Sequence, residues 1–234
     1  AHDIPALALG NASREALRMA DMLQTLLLYA RAGFKRDNRH RMLQARAMDR
    51  AIDKLEFSIA HYLATLDSES LTREDRVRLD AIIAFISNIG HAGDIAHHGL
   101  LGFVGKLRKT AVQLTPQQKQ QLDETLVRLI NNQRQAAALF VNEDVPQARA
   151  LAAEKEYFRV LENQAAEKHL DLIKSGRIDV AEAGAIYLDI LRDVKSINSH
   201  LVGATAYPLL ARQGELLPSR LREVDRQAER NAAE

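Results

Sequence analysis

The chain contains no cysteine and no tryptophan. No disulfide can staple it and no thiolate can hold a metal, so any metal site has to be built from oxygen and imidazole ligands. Aromatic residues make up 5% of the chain, and there are 5 prolines and 11 glycines among 234 residues, so the usual materials of strands and tight turns are scarce. An excess of one charge is missing too: 32 basic residues face 31 acidic ones, for a formal net charge of +1, which argues against a nucleic-acid partner. No apolar run reaches membrane-spanning length. The most apolar stretch, Ala81 to Gly105, is interrupted by Asn88, Asp94 and three histidines. The N-terminus has no signal-peptide pattern, and the chain as it stands is expected to be soluble. There is no glycine-rich phosphate loop, no His-Glu-x-x-His and no nucleophile elbow. Ser196 and His200 share one helical turn with no third group, so the chain is read as not an enzyme.

What is present is a surplus of Ala, Leu, Arg, Glu and Gln, which are helix formers, and the expected fold class is all-α. The stretch from Ala81 to Gly105 organises the rest. Ile82, Ile86, Ile89, Gly93, Ala96, Leu100, Phe103 and Leu107 recur at alternating steps of four and three, the seam of a long buried helix. Ser87, His91, Asp94 and His98 follow the same rhythm on another face. A polar stripe on a buried helix is costly unless its groups find partners, so it carries an internal hydrogen-bond network or offers ligands.

In chain order, residues 1–12 read as a lead-in with Pro5 and Gly10. A first helix is expected from Ser13 to Ala32 and a second up to Leu66. Thr72 with Asp75 is a capping signature that opens the organising helix, and Gly99, Gly102 and Gly105 weaken its end. Thr115-Pro116-Gln117-Gln118 is a strong helix start, Asp144-Val145-Pro146 is another, and Asp179 with Glu182 reads as a capping box. Ser219 caps a charged tail helix. The expected organisation is a three-helix unit over 13–110, a second over 115–211, and a tail over 212–234. Asp189, Asp193, Ser196 and His200 repeat the polar stripe beside Ile190, Val194, Ile197 and Leu201. That repetition suggests duplication with the third helix of each unit facing a shared interior, although four-three spacing also arises by chance.

Asp49 and Asp53, and Asp189 and Asp193, place carboxylates one helical turn apart, where they repel. Two remedies are open. Arg50, Arg192 and Lys195 can offset them as ion pairs, or a bound cation can, since bundles hold metals with carboxylates and imidazoles from facing helices. The candidate ligands for a divalent or iron-type ion are Asp49, Asp53, His91, Asp94, His98, Asp189, Asp193 and His200, with Asp94 and His97 adding ligand spacing.

Leu7-Ala8-Leu9, Arg14 to Met22 (REALRMADM), Asp49-Arg50-Ala51-Ile52-Asp53, His91-Ala92-Gly93-Asp94-Ile95 and above all Leu188 to His200 (LDILRDVKSINSH) resemble one family. It is the PhoU-like C-terminal region of bacterial sodium/phosphate cotransporters of the NptA-like type II kind, and the resemblance runs from Ile4 to Leu210. It implies a PhoU-like bundle of two three-helix repeats on the cytoplasmic face of the inner membrane. The implied role is non-catalytic regulation of phosphate uptake, with the transporter's transmembrane region or another protein as partner. Some members of the wider family bind iron or zinc clusters on acid-x-x-x-Asp motifs. Those motifs fall here on Asp49 and Asp53, on Gly90 and Asp94 with the first acid missing, and on Asp189 and Asp193; Glu154, Glu156 and Glu162 make no clean match. A stand-alone PhoU-like regulator is the alternative. A metal-dependent bundle enzyme lined by Asp94, His98 and Asp193 is a third reading, and a plain structural bundle a fourth. Small residues at Gly90, Ala92, Gly93 and Ala96 suit either a homodimer or close internal packing.

Overall fold

The computed structural model describes residues 3–35 and 39–215, all helix and connection with no strand among them. The helices are α1 (Asp3–Lys35), α2 (Arg39–Ala64), α3 (Arg73–Asp94), α4 (Gly102–Lys109), α5 (Pro116–Asn142), α6 (Val145–Lys174), α7 (Ile178–Leu201) and α8 (Tyr207–Arg212). A π-helical segment, Ile95–Leu101, joins α3 to α4, and another, Val202–Ala206, joins α7 to α8, so the described residues form six rods.

Local chemistry sets most boundaries. Thr72 and Asp75 cap each other's backbone N–H groups at the start of α3, and Thr115 and Gln118 do the same for α5. Each such cap stabilises its helix by about 1 kcal/mol. Asp144 accepts from the Gln147 N–H to open α6. Two expectations need correction. The lead-in over residues 1–12 is helical from Asp3, because Pro5 stands in a first turn that has no intrahelical N–H bond to lose. Ala8, Leu9 and Ala12 then lie on the buried face, while Gly10 has open space beside it. Asp179 is not a cap: α7 begins at Ile178 after Arg177, and Asp179 pairs with that arginine. The tail helix placed at Ser219 lies outside the described residues.

The centre of the bundle is α1, whose Ala16, Met19, Leu23, Leu26, Leu27 and Ala30 are fully buried where it packs on α2, α3 and α5. The seam expected on the organising helix is observed: Ile82, Ile86, Ile89, Gly93, Ala96 and Leu100 are buried, and Phe103 and Leu107 half-buried. Ile190, Val194, Ile197 and Leu201 of α7 are fully buried as well. The two long rods run antiparallel against each other: Asn88 lies beside Gly203, His91 beside His200, and Asp193 beside Gly99. Each π segment therefore carries a glycine on which a polar side chain of the opposite rod rests. A methyl at Gly99 would collide with the Asp193 carboxylate, and one at Gly203 would lie 3.1 Å from Asn88 Oδ1.

Candidate metal centre

Asp49, Asp53 and Glu56 recur on α2 at steps of four and three, and so share one face. That face looks toward the end of α3 and the π segment after it. Carboxylate oxygens of Asp49, Asp53 and Asp94 lie within 4.8 Å of one another, and so do ligand atoms of Asp49, His97 and His98. Asp49 belongs to both groups and is the buried member, its side chain 8% exposed. Its Oδ2 stands 2.9 Å from His97 Nδ1 and 3.7 Å from His98 Nε2. Its Oδ1 is buried with no hydrogen-bond partner, and His97 Nδ1 faces Oδ2 without the alignment of a hydrogen bond.

A buried carboxylate oxygen with no donor is expensive. Among the described residues no lysine or arginine pairs with Asp49, Asp53, Glu56, Asp94 or Asp193. The repulsion shows in the titration of the group. Burial holds the Asp53 carboxyl above the usual carboxylate range, and the Asp49 and Asp94 charges add to it. Burial also raises Glu56, with His91 working in the opposite direction. These donors fit a cation. Ligands about 2.0–2.2 Å from an ion and about 90° apart lie roughly 3 Å from each other, which is the spacing of Asp49 Oδ2 and His97 Nδ1. Mixed carboxylate and imidazole donors suit zinc, manganese or iron. The π segment beginning at Ile95 is what brings two successive histidines to the same carboxylate, a local widening that recurs at functional sites.

Asp94, Ile95, His98, Gly99 and Asp193 line an open groove of about 430 Å³ beside this cluster. Asp193 is half-buried there, and burial and then the Asp189 charge raise its carboxyl. Asp189 itself is exposed, 3.5 Å from Arg192, and is not brought to the cluster. His91 and His200 form a separate pair, with ring centroids 5.2 Å apart. Asn88 Nδ2 donates to the Ala84 carbonyl, so its Oδ1 accepts a hydrogen bond from the His200 Nδ1–H at 3.0 Å. Burial and then His91 lower the pKa of His200. Ser87 and Ser196 are half-buried on their helices.

Two residues of the site lie outside the candidate ligand set. Glu56 extends the four-three rhythm of Asp49 and Asp53 by one step, a signal present in the sequence. Its carboxylate lies against Gly90, where an added methyl would collide with it, and so occupies the space of the acid missing from the third-helix motif. His97 had only its spacing from Asp94 to mark it. The small residues of this stretch serve internal contact: Gly90 lies against Glu56, and a methyl at Gly93 would come 3.3 Å from Ile52.

The second half treats its acids differently. Glu154 accepts from Arg128 at 2.6 and 3.0 Å and from Asn132 at 3.3 Å, and Glu162 is held by Arg192 and Lys195. Glu154 and Glu162 are thus closed by bases, whereas the acids around Asp49, and Asp193 of the second half, are left to one another and to histidines.

The sign of the pH dependence follows. With their folded values raised, Asp53, Glu56 and Asp193 bind protons more tightly in the folded protein than in the unfolded chain. Their contribution to stability therefore falls as pH rises from the ordinary carboxylate value through the raised folded value. His200 works oppositely, losing stability as pH falls below its ordinary value. Asp53→Asn is expected to raise the melting temperature of metal-free protein at about pH 7.5 and to leave it unchanged at about pH 4, as followed by circular dichroism.

Antiparallel long rods, each flanked by two further helices, define a PhoU-like helical bundle. PhoU from Pseudomonas aeruginosa superposes with a TM-score of 0.78 over 90% of this chain and 99% of its own, at 14% identity. The phosphate transport system regulatory protein PhoU from Streptococcus pneumoniae gives 0.72 over 91% and 98%, at 17% identity. No known protein-family profile matches the chain. In sequence it is similar to YjbB, a protein named for inorganic phosphate export: 28% identical over 211 residues to that of Salmonella typhimurium, and 28% over 213 residues to that of Escherichia coli K12. The matches cover 89% and 91% of this chain but only 38% and 39% of those relatives, so the chain spans about two-fifths of their length.

Proposed function

We propose that this chain is a non-catalytic regulatory domain acting in phosphate homeostasis, attached to or docking on a phosphate transporter, with cation occupancy of the Asp49 cluster setting its state. The observation that carries the reading is the buried, unpartnered Asp49 oxygen among carboxylates with which, among the described residues, no lysine or arginine pairs. The likeness to proteins named for phosphate export supplies the physiological setting, and the PhoU-like fold agrees with it. Asp49, Asp53, Asp94, His97 and His98 would hold the ion, Asp193 facing it from the other rod. The ion would supply the positive charge that holds α2 against α3 and its π segment. A ligand that binds only one arrangement of these rods shifts the population toward it.

In this reading the transporter is sodium-coupled, its membrane region is the partner, and the domain lies on the cytoplasmic face of the inner membrane. Among the described residues no helix is long and apolar enough to cross a membrane. The test is phosphate flux in cells carrying the natural protein, a version lacking this region, and Asp49→Asn. Altered dependence of flux on external phosphate in both variants is expected; unchanged flux and unchanged regulation in both would sink the proposal. Supplying this region as a separate polypeptide distinguishes a stand-alone regulator, which restores regulation in trans. The open groove at Asp94, His98 and Asp193 favours a second reading, a metal-dependent hydrolase, and phosphomonoester hydrolysis by metal-loaded protein tests it.

A further inference from the structure

The acids of α2, Asp49, Asp53 and Glu56, stand on its flank toward α3. A different chemistry faces outward. Leu43, Arg46, Arg50, Lys54, Phe57 and His61 follow one another at steps of three and four, and so share the face turned away from the buried Ala45, Ile52 and Ile59. All six are exposed, Leu43 at 69% and Phe57 at 72%, and no acid stands among them. Among the described residues, the side chains of Arg46, Arg50 and Lys54 make no ion pair and no hydrogen bond to an acid. The charges acting on Asp53 come from Asp49, Asp94, His98 and His97 and from neither Arg50 nor Lys54, so these two point away from their acidic neighbour. Arg50 and Lys54 lie one turn apart, where like charges repel. From Leu43 to His61 the face runs about 27 Å, at 1.5 Å per residue, along the convex outer side of one rod.

We propose that this face of α2 rests on an anionic phospholipid surface. Leu43 and Phe57 enter the headgroup layer, and Arg46, Arg50 and Lys54 between them meet lipid phosphates. Helices that lie in a bilayer interface join apolar side chains to lysine and arginine, and bind through apolar burial together with attraction to anionic lipid. Long basic side chains reach phosphates while their methylene stems lie on apolar ground. Each lysine or arginine near such a surface strengthens binding roughly fivefold, so three of them favour anionic over neutral lipid by roughly a hundredfold. The spacing of the apolar side chains separates a bilayer from a protein partner. Leu43 and Phe57 stand fourteen residues apart, about 21 Å along the helix, and form no contiguous apolar centre of the kind a protein interface is built around. A bilayer receives each of them singly. A net charge of +1 speaks against nucleic acid. The inference rests on neither the metal centre nor the transporter reading, because none of these six residues belongs to the acidic cluster.

Because the chain has no tryptophan, Phe57→Trp places a single indole at the proposed contact. The full chain carrying it, freed of metal with EDTA, is mixed with vesicles of equal parts phosphatidylglycerol and phosphatidylcholine, and with vesicles of phosphatidylcholine alone. On the anionic vesicles the indole emission is expected to move to shorter wavelength and to be quenched by brominated acyl chains, and the wild-type chain is expected to co-sediment. Partitioning onto neutral vesicles is expected to be at least about tenfold weaker. Raising salt from about 0.1 M to about 1 M, which shortens the screening length from about 10 Å to about 3 Å, is expected to release the protein. Arg50→Glu with Lys54→Glu is expected to weaken partitioning about tenfold or more without lowering the melting temperature, because both side chains are exposed. No binding to anionic vesicles, equal binding to neutral ones, binding with the indole emission unchanged, or unaltered binding by the charge-reversed variant overturns the proposal. Absence of vesicle binding together with altered phosphate flux in cells carrying the charge-reversed variant would assign the face to an acidic protein partner instead.

Discussion

Addition of Mn²⁺ or Zn²⁺ at neutral pH is expected to raise the melting temperature of the metal-free protein by about 5–11 °C once the ion is at a hundredfold its Kd. A ligand at that excess stabilises the folded state by about 2.7 kcal/mol. In a chain of this length each kcal/mol moves the midpoint by about 2–4 °C. The effect is large because the cation removes two costs together: the unpartnered buried oxygen of Asp49, and the repulsion that burial and the neighbouring carboxylates impose on Asp53. Asp49→Asn separates this from non-specific binding at exposed acids. The variant keeps shape and burial, loses the charge shared by both ligand groups, and is expected to melt no lower than wild type without metal. Less than about a third of the metal-induced rise is expected to remain. A full rise in Asp49→Asn, or none in wild type with either ion, would remove the basis for a metal centre.

Much of the scaffold was legible because capping chemistry is local. Thr72 with Asp75 and Thr115 with Gln118 act within three residues, and the structure contains those bonds. The apolar seam of the organising helix was legible for the same reason, since its period needs no knowledge of the partner. Pro5 and Gly10 misled because punctuation is positional. A proline in a first turn continues a helix, and an exposed glycine with open space beside it does not end one. The π segments left no comparable trace. Gly99, Gly102 and Gly105 read as helix weakeners, whereas the rod carries on to Lys109, and what Gly99 provides is room for Asp193. The candidate site divides the same way. Asp49, Asp53, Asp94 and His98 meet and Asp193 lines the adjoining groove, but Asp189, His91 and His200 lie elsewhere. Matching the two stripes residue for residue treats the rods as parallel copies. They run antiparallel, and that brings Asp193 to the Asp94 end while pairing His91 with His200.

Phe85→Ala is expected to lower the melting temperature by about 6–20 °C, from a loss of about 3–5 kcal/mol. Phe85 of α3 is fully buried and stacks on Phe140 of α5 with ring centroids 4.1 Å apart. Arg78 covers the other ring at 4.3 Å and donates to Ser13 Oγ at 2.9 Å and to the Phe140 carbonyl at 3.0 Å. Burial lowers the pKa of Arg78, so its charge is held by these bonds rather than by water. One seam thus ties α1 and α3 of the first half to α5 of the second. Truncating it opens a cavity that rigid helices cannot collapse, while Phe57→Ala, at a side chain 72% exposed, is expected to cost less than about 0.5 kcal/mol. The comparison bears on how the domain would switch. A core continuous across both halves resists hinging along this seam, so metal-dependent movement should be confined to α2, the end of α3 and its π segment. Phe85 lies nine residues before Asp94, roughly 13 Å along the helix, a separation at which independent effects add. Phe85→Ala should therefore lower the melting temperatures of metal-free and metal-loaded protein equally, preserving the metal-induced rise. A rise that shrinks or grows in Phe85→Ala would show instead that the seam between the halves moves with the metal.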